Sequence, residues 1–160
     1  MNTAYIISFI KGIILSLELF VKTLEGDKPA EESVPKDVLL NSFAMAIQKF
    51  EGYVVNPPSR SFRNRNPGNA RYSSVGYLGK YGKVGKDKDN FAIFESYEIG
   101  FLYLKNLILE KARKNPTWDL YKFFDVYAPA SDNNQPRHYA ETVAKAINVN
   151  ISTWQIGQLL

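Results

Sequence analysis

The run KFEGYVVNPPSRSFRNRNPGNARY, residues 49–72, sets one carboxylate, Glu51, at the end of an apolar stretch. It follows that residue with a segment dense in Asn, Arg, Pro and Gly. Glu51 lies four residues after Ile47, seven after Ala44 and eleven after Leu40, so on a helix it extends their apolar stripe. A carboxylate held beside apolar groups loses water, which disfavours the charged form and raises its pKa. Such a group can act as a general acid near neutral pH, as protonation of a leaving glycosidic oxygen requires. A solvated glutamate at a frayed helix end fits the same spacing, so spacing alone leaves both readings open.

The segment after Glu51 supplies partners of a particular kind. Asn56, Asn64, Asn66 and Asn69 carry amide donors and acceptors, and Arg60, Arg63, Arg65 and Arg71 carry forks of N–H groups. Neutral amides beside the aromatic rings of Tyr53, Phe62 and Tyr72 suit sugar hydroxyls and acetamido groups. The arginines could instead hold carboxylates or phosphates. An Asx- and Pro-shaped turn that exposes ordinary charges accounts for the same composition.

The rest of the composition narrows the chemistry. No cysteine is present, so a disulfide framework, a thiolate metal site and a cysteine nucleophile are excluded. The single histidine, His138, leaves almost no material for a His-based metal cluster or a serine triad. No metal or cofactor is therefore expected, and chemistry must come from carboxylates, amides, hydroxyls and tyrosines. The net charge of +4 favours an anionic partner without choosing among nucleic acid, an acidic membrane surface and a cell-wall polymer. With 45% hydrophobic residues over 160 positions, one domain can bury a full core.

Several elements are needed to position these groups. In residues 1–25 a 100° rotation per residue gathers Ser8, Lys11, Gly12, Ser16, Glu18, Lys22 and Glu25 on one face. Ile6, Ile10, Ile13, Leu17, Phe20, Val21 and Leu24 fall on the other, which makes an amphipathic helix. A spanning helix would have to carry Lys11 and Glu18 in hydrocarbon, and no Lys or Arg precedes Tyr5 as a secretory signal would want. Packing against protein is favoured, ahead of an interfacial membrane helix and of a true anchor or signal. Residues 26–35 read as a polar linker with two prolines, and the domain proper as 36–160. Asp37 can cap a helix to about residue 50 that stops at Gly52. Residues 71–94 suggest a small antiparallel sheet. Ser96 caps a helix to about residue 114, Thr117 one to about 127, residues 138–147 form another, and Ser152 caps a last short one. The expected class is α+β, predominantly helical, with a small antiparallel sheet after the first helix of the domain.

The segments FEGY, FRNRNPGNARY, DNFAIFESYEIGFLYL and YAPASDNNQPRHYAETVA, in that order, resemble the lysozyme-like murein-degrading domains of phage virion proteins and related bacterial lytic transglycosylases. The resemblance covers about residues 39–149, and RNRNPGNARY is its most distinctive part. It implies a lysozyme-like fold in which the glutamate ending the first helix of the domain, here Glu51, is the catalytic acid. Tyr127 before Ala128-Pro129 resembles the tyrosine that lies near the catalytic glutamate in related transglycosylases, although a core tyrosine at a helix end fits as well. Asn66 and Asn69 could orient substrate or shape the turn around Pro67-Gly68, and Asn133 and Asn134 could line the cleft or cap the helix of Tyr139. With Tyr72 these complete the candidate substrate contacts. The chain has Asn90 where the family commonly has Gly, and Ala70 where it usually has an aliphatic residue.

Hydrolases of glycosidic bonds usually pair two carboxylates. After Glu51 the next acidic residues are Asp87 and Asp89, in a lysine-flanked turn, and Glu95, and none has an apolar or clustered setting. A lytic transglycosylase needs only one glutamate, which protonates the leaving oxygen and then helps the muramoyl 6-hydroxyl close a 1,6-anhydro ring. That reaction is favoured over hydrolysis by a muramidase, with an inactive lysozyme-like virion or envelope scaffold as a further alternative. The expected partner is the peptidoglycan glycan strand, with a virion protein, an envelope protein or a membrane surface against the N-terminal helix. Nucleic acid is not expected, since no groove-reading motif accompanies the arginines. The expected location is the cell envelope or periplasm, or a phage virion.

Overall fold

The computed structural model describes residues 14, 34–75, 80–132 and 134–160. Residues 1–25, expected to form the amphipathic helix, and the linker at 26–35 lie outside the described residues except for Ile14, Val34 and Pro35. The chain divides into the units Met1–Val38 and Leu39–Leu160, and the site belongs to the second.

Helix α1, Lys36–Phe50, carries Asp37 within its first turn rather than ahead of it. Its inward stripe is Phe43, Ala44 and Ile47, all fully buried. The helix ends in a Schellman arrangement: the Tyr53 N–H donates to the Gln48 carbonyl and the Gly52 N–H to the Lys49 carbonyl. Gly52 takes φ +65°, which a side chain would oppose, and this closure places Glu51 on the last turn.

The segment expected to be loop contains a four-residue helix α2, Arg60–Arg63, started by the Ser59 Oγ accepting from the Phe62 N–H at 3.2 Å. The small sheet is two residues wide on each strand: β1, Gly85–Lys86, pairs antiparallel with β2, Ala92–Ile93, in the register Gly85 to Ile93 and Lys86 to Ala92. A bridge from Arg71 to Phe91 extends the pairing toward the Asn-rich segment. The connecting turn is built by Asp87, whose Oδ1 accepts from the N–H groups of Asp89 and Phe91. Asn90 holds φ +66° there, a conformation that glycine and asparagine tolerate best.

Helix α3, Tyr97–Lys114, starts where expected, with Ser96 Oγ accepting from the Ile99 N–H. Helix α4, Leu120–Tyr127, is capped by Asp119, not Thr117. Helix α5, Pro136–Ala146, begins with proline in its first turn, and no side chain caps it. The last turn, a 3-10 turn at Ile156–Leu159, is capped by reciprocal bonds of Gln155 and Gln158 rather than by Ser152. The described part is thus mostly helical with one small antiparallel sheet, an α+β arrangement.

Two apolar clusters sit beneath these elements. In the larger, Phe43 is the hub: Phe123 meets it edge-on at 5.4 Å, and Phe124 and Trp154 stack on it at 6.1 and 5.9 Å. Such pairs add about 0.5–1.5 kcal/mol each beyond burial. The smaller joins Ala70, Tyr81, Val84, Ala92, Phe94 and Tyr103, and so ties the Asn-rich segment and the sheet to α3. Gly100 brings α3 against that segment, since a Cβ there would stand 2.0 Å from the Arg65 carbonyl oxygen.

Candidate active site

Glu51 is partly buried at the junction of α1, α5 and the Asn-rich segment. Its Oε1 accepts from the Tyr139 hydroxyl of α5 at 3.0 Å, and its Oε2 from the Asn69 Nδ2 at 3.2 Å. Burial raises the Glu51 pKa above the ordinary carboxylate value, although the Tyr139 and Asn69 bonds and the Arg60 charge act against it. The desolvation expected from the apolar stripe is therefore present, together with two donors that orient the group.

Tyr139 comes from the apolar face of α5 with Ala140, Val143 and Ala144. Its ring stacks on Phe50 at 3.7 Å and on Phe124 at 4.2 Å, which fixes where the hydroxyl can reach. Burial, with Tyr127 and Glu51 nearby, holds its phenol far above the ordinary range, so it stays protonated as a donor. This residue was not among the sequence candidates. The available signal was a hydroxyl-bearing ring at a helix position whose neighbours at i+1, i+4 and i+5 are purely apolar.

Tyr127 does not hydrogen-bond Glu51. Its hydroxyl donates to the Gly68 carbonyl at 2.9 Å, and its ring meets Tyr139 edge-on at 6.1 Å. It is close enough that the Glu51 charge, after burial, raises its pKa further. Its visible role is to pin the Pro67-Gly68 turn.

The two neighbouring asparagines separate. Asn66 is 1% exposed and spends both amide hydrogens on the carbonyls of Ala70 and Ala92, while its Oδ1 accepts from the Ala70 N–H, all at 2.9 Å. With both donors used inside the protein, Asn66 is a brace between the segment and β2, the shaping role of the two open to it, and has no free amide hydrogen for a substrate. Asn69 faces Glu51 instead, held in the left-handed region at φ +48°. Its Oδ1 accepts from the Arg60 Nε at 3.2 Å.

The remaining candidates lie elsewhere. Tyr72 is partly buried against the smaller cluster, with the Lys86 ammonium 5.8 Å from its ring. Asn134 is exposed, donates to the Pro129 carbonyl at 3.3 Å, and does not cap α5. Asn133 lies outside the described residues. His138 is exposed, its ring 5.8 Å from Phe50.

All four arginines of the segment bond within the protein. Arg60 donates to Asn69, Arg63 to the Pro58 carbonyl, Arg65 to the Phe94 carbonyl and Arg71 to the Asp89 carbonyl. Arg60 and Arg71 also stand against the Phe91 ring at 3.5 and 4.3 Å. Asp87 is committed as well: Oδ1 holds the turn and Oδ2 accepts from the Asn64 Nδ2 at 2.7 Å. Among the described residues no group of three or more His, Asp or Glu is placed to hold a metal ion. Likewise, no described helix is long and apolar enough to cross a membrane.

Comparison of the chain with protein-family models, curated proteins and solved structures gives no match.

Proposed function

We propose that the protein cleaves the glycan strands of peptidoglycan as a lytic transglycosylase, with Glu51 as both acid and base. The observation that carries this reading is the Glu51 carboxylate itself, desolvated by burial and held on both oxygens, by Tyr139 and by Asn69. Burial raises the proton affinity of Glu51, which favours the protonated form that the first step consumes. In the first step the Glu51 proton passes to the leaving glycosidic oxygen, which takes the bond's electron pair. In the second, the carboxylate accepts the proton of the muramoyl 6-hydroxyl as that oxygen bonds to the anomeric carbon. Glu51 is then protonated again and the product ends in a 1,6-anhydro ring.

The commitment of Asp87 to its turn favours this reaction over a two-carboxylate hydrolysis. Of the four arginines only Arg60 is partly buried and bonded to a Glu51 partner, Asn69, so it supports the site, whereas Arg63, Arg65 and Arg71 each donate to a backbone carbonyl and stay exposed. The lysozyme-like character of the domain, and a place in the cell envelope or a phage virion, belong to the same proposal. Mass spectrometry of purified murein digested with the protein and with Glu51→Gln tests it. Anhydro-muropeptides from the unaltered protein alone are expected. Reducing-end products would assign a muramidase, and no product from either would assign an inactive scaffold.

A further inference from the structure

Arg60 lies one bond beyond the groups that touch Glu51, and its chemistry constrains them. A guanidinium donates and never accepts, so the Asn69 atom facing the Arg60 Nε has to be the amide oxygen. The amide NH2 is thereby turned toward Glu51, where Nδ2 stands 3.2 Å from Oε2. Arg60 is itself held from two sides, by this bond and by the Phe91 ring 3.5 Å from its guanidinium carbon. Asn69 has little freedom to answer differently, being at φ +48° with its backbone N–H bonded to the Asn66 carbonyl.

The two Glu51 oxygens therefore meet unlike partners. Oε2 faces a group that can only donate. Oε1 faces the Tyr139 hydroxyl, which can donate or accept, and which also stands 3.4 Å from the Ile47 carbonyl. We propose that Arg60 is a positioning residue that acts through Asn69: it fixes the polarity of that amide, keeps Oε2 an acceptor and makes Oε1 the oxygen that gains and loses the proton. With Oε1 protonated, the Tyr139 hydroxyl turns its hydrogen to the Ile47 carbonyl. When the Oε1–H bond breaks and the proton leaves to an acceptor, the same hydroxyl swings back to donate to the new carboxylate. Tyr139 keeps its own proton throughout.

The charged and titratable groups around this relay are Tyr139 from α5, Tyr127 from α4 and Arg60 from α2, with Asp87 of the hairpin turn also within the field of Arg60. The inference deepens the catalytic reading of Glu51, yet its test reads the carboxyl group and needs no turnover. If murein is not cleaved, the proposed function fails while the relay is still measured.

The experiment is an NMR titration of the Glu51 carboxyl carbon, in protein labelled with 13C at glutamate side chains, as a double-mutant cycle of Arg60→Gln and Asn69→Ala. Each single variant is expected to raise the proton affinity of Glu51 by about three- to tenfold, half to one pH unit. In the Asn69→Ala background Arg60→Gln is expected to keep only the direct effect of its charge on Glu51, and so to act less than it does with Asn69 in place. An equal effect in both backgrounds, or none in either, overturns the relay. Should Arg60→Gln unfold the segment, Arg60→Met, which keeps an apolar stem against Phe91 without any N–H, takes its place in the cycle.

Discussion

Glu51 at the end of α1 and Asp87 in the turn between β1 and β2 both lie within the field of Arg60, and their pKa values shift in opposite directions. Arg60 favours ionisation of both Glu51 and Asp87. At Glu51 burial prevails over that charge and over two side-chain donors, and the pKa rises. At Asp87 burial is again the largest single influence, but the Phe91 N–H, the Asn64 amide and the Asp89 N–H, with Arg60, together outweigh it and the pKa falls. A shared cation therefore does not decide which carboxylate is an acid. The decision lies in how many fixed donors meet it: Asp87 accepts from two backbone N–H groups and the Asn64 amide, whereas Glu51 accepts only from the side chains of Tyr139 and Asn69.

The sharpest break in this comparison comes from removing each charge in turn. Glu51→Gln is expected to lower murein cleavage by about 10³-fold, within the range for a lost general acid and base, as read by release of soluble muropeptides. It also alters stability with a definite sign. A carboxyl whose folded pKa is raised stabilises the fold most fully below the ordinary carboxylate range, and that contribution is lost as pH rises through its folded pKa. The stability of the unaltered protein relative to Glu51→Gln should accordingly decline across that window in denaturant titrations at stepped pH, and an unchanged difference would contradict the burial argument.

Tyr139→Phe keeps the ring stacked on Phe50 and Phe124 but removes a donor from ionised Glu51. The alkaline limb of the pH–rate profile should move up by about one unit, a tenfold change in proton affinity, with thermal unfolding little altered. Asp87→Asn tests the other carboxylate. It should leave murein cleavage within about twofold while costing on the order of 1 kcal/mol for weakened turn bonds, measured by urea unfolding. Its pH signature is the reverse of that of Glu51: a depressed pKa gives stability present above the ordinary carboxylate range and lost as pH falls through the folded value. The smallest effect is expected at Asn90→Gly. At φ +66° the loss of side chain relieves backbone strain and adds unfolded-state entropy, so stability should change by only about a few tenths of a kcal/mol.

The two regions were unequally legible in the sequence. Helix α1 and its end could be read because Phe43, Ala44 and Ile47 repeat with helical spacing and Gly52 marks the stop, which also placed Glu51. Ser96 announced α3 for the same local reason. The Asn-rich segment resisted, because its composition says which bonds are available and not which are made. Asn66 and Asn69 are the same residue type three positions apart, and only the arrival of β2 from a distant part of the chain makes one a buried brace. The four residues of α2 are too few to show a period, although Ser59 was a cap in waiting. Residues able to cap lie close together at Thr117 and Asp119, and at Ser152 and Gln155, and local sequence does not say that the second of each pair makes the bonds. Tyr139 escaped because its ring satisfied the apolar pattern and hid the hydroxyl that mattered.

The placement of Glu51 at the end of α1 has an electrostatic consequence beyond geometry. The peptide dipoles of this fifteen-residue helix add along its axis and leave roughly half a negative charge at the end where Glu51 sits. Near a helix terminus that field is worth about 0.3–1 kcal/mol. Here it opposes ionisation of the carboxylate, in the same direction as burial. The backbone of α1 thus holds the carboxyl group in place and, at the same time, favours the proton on it.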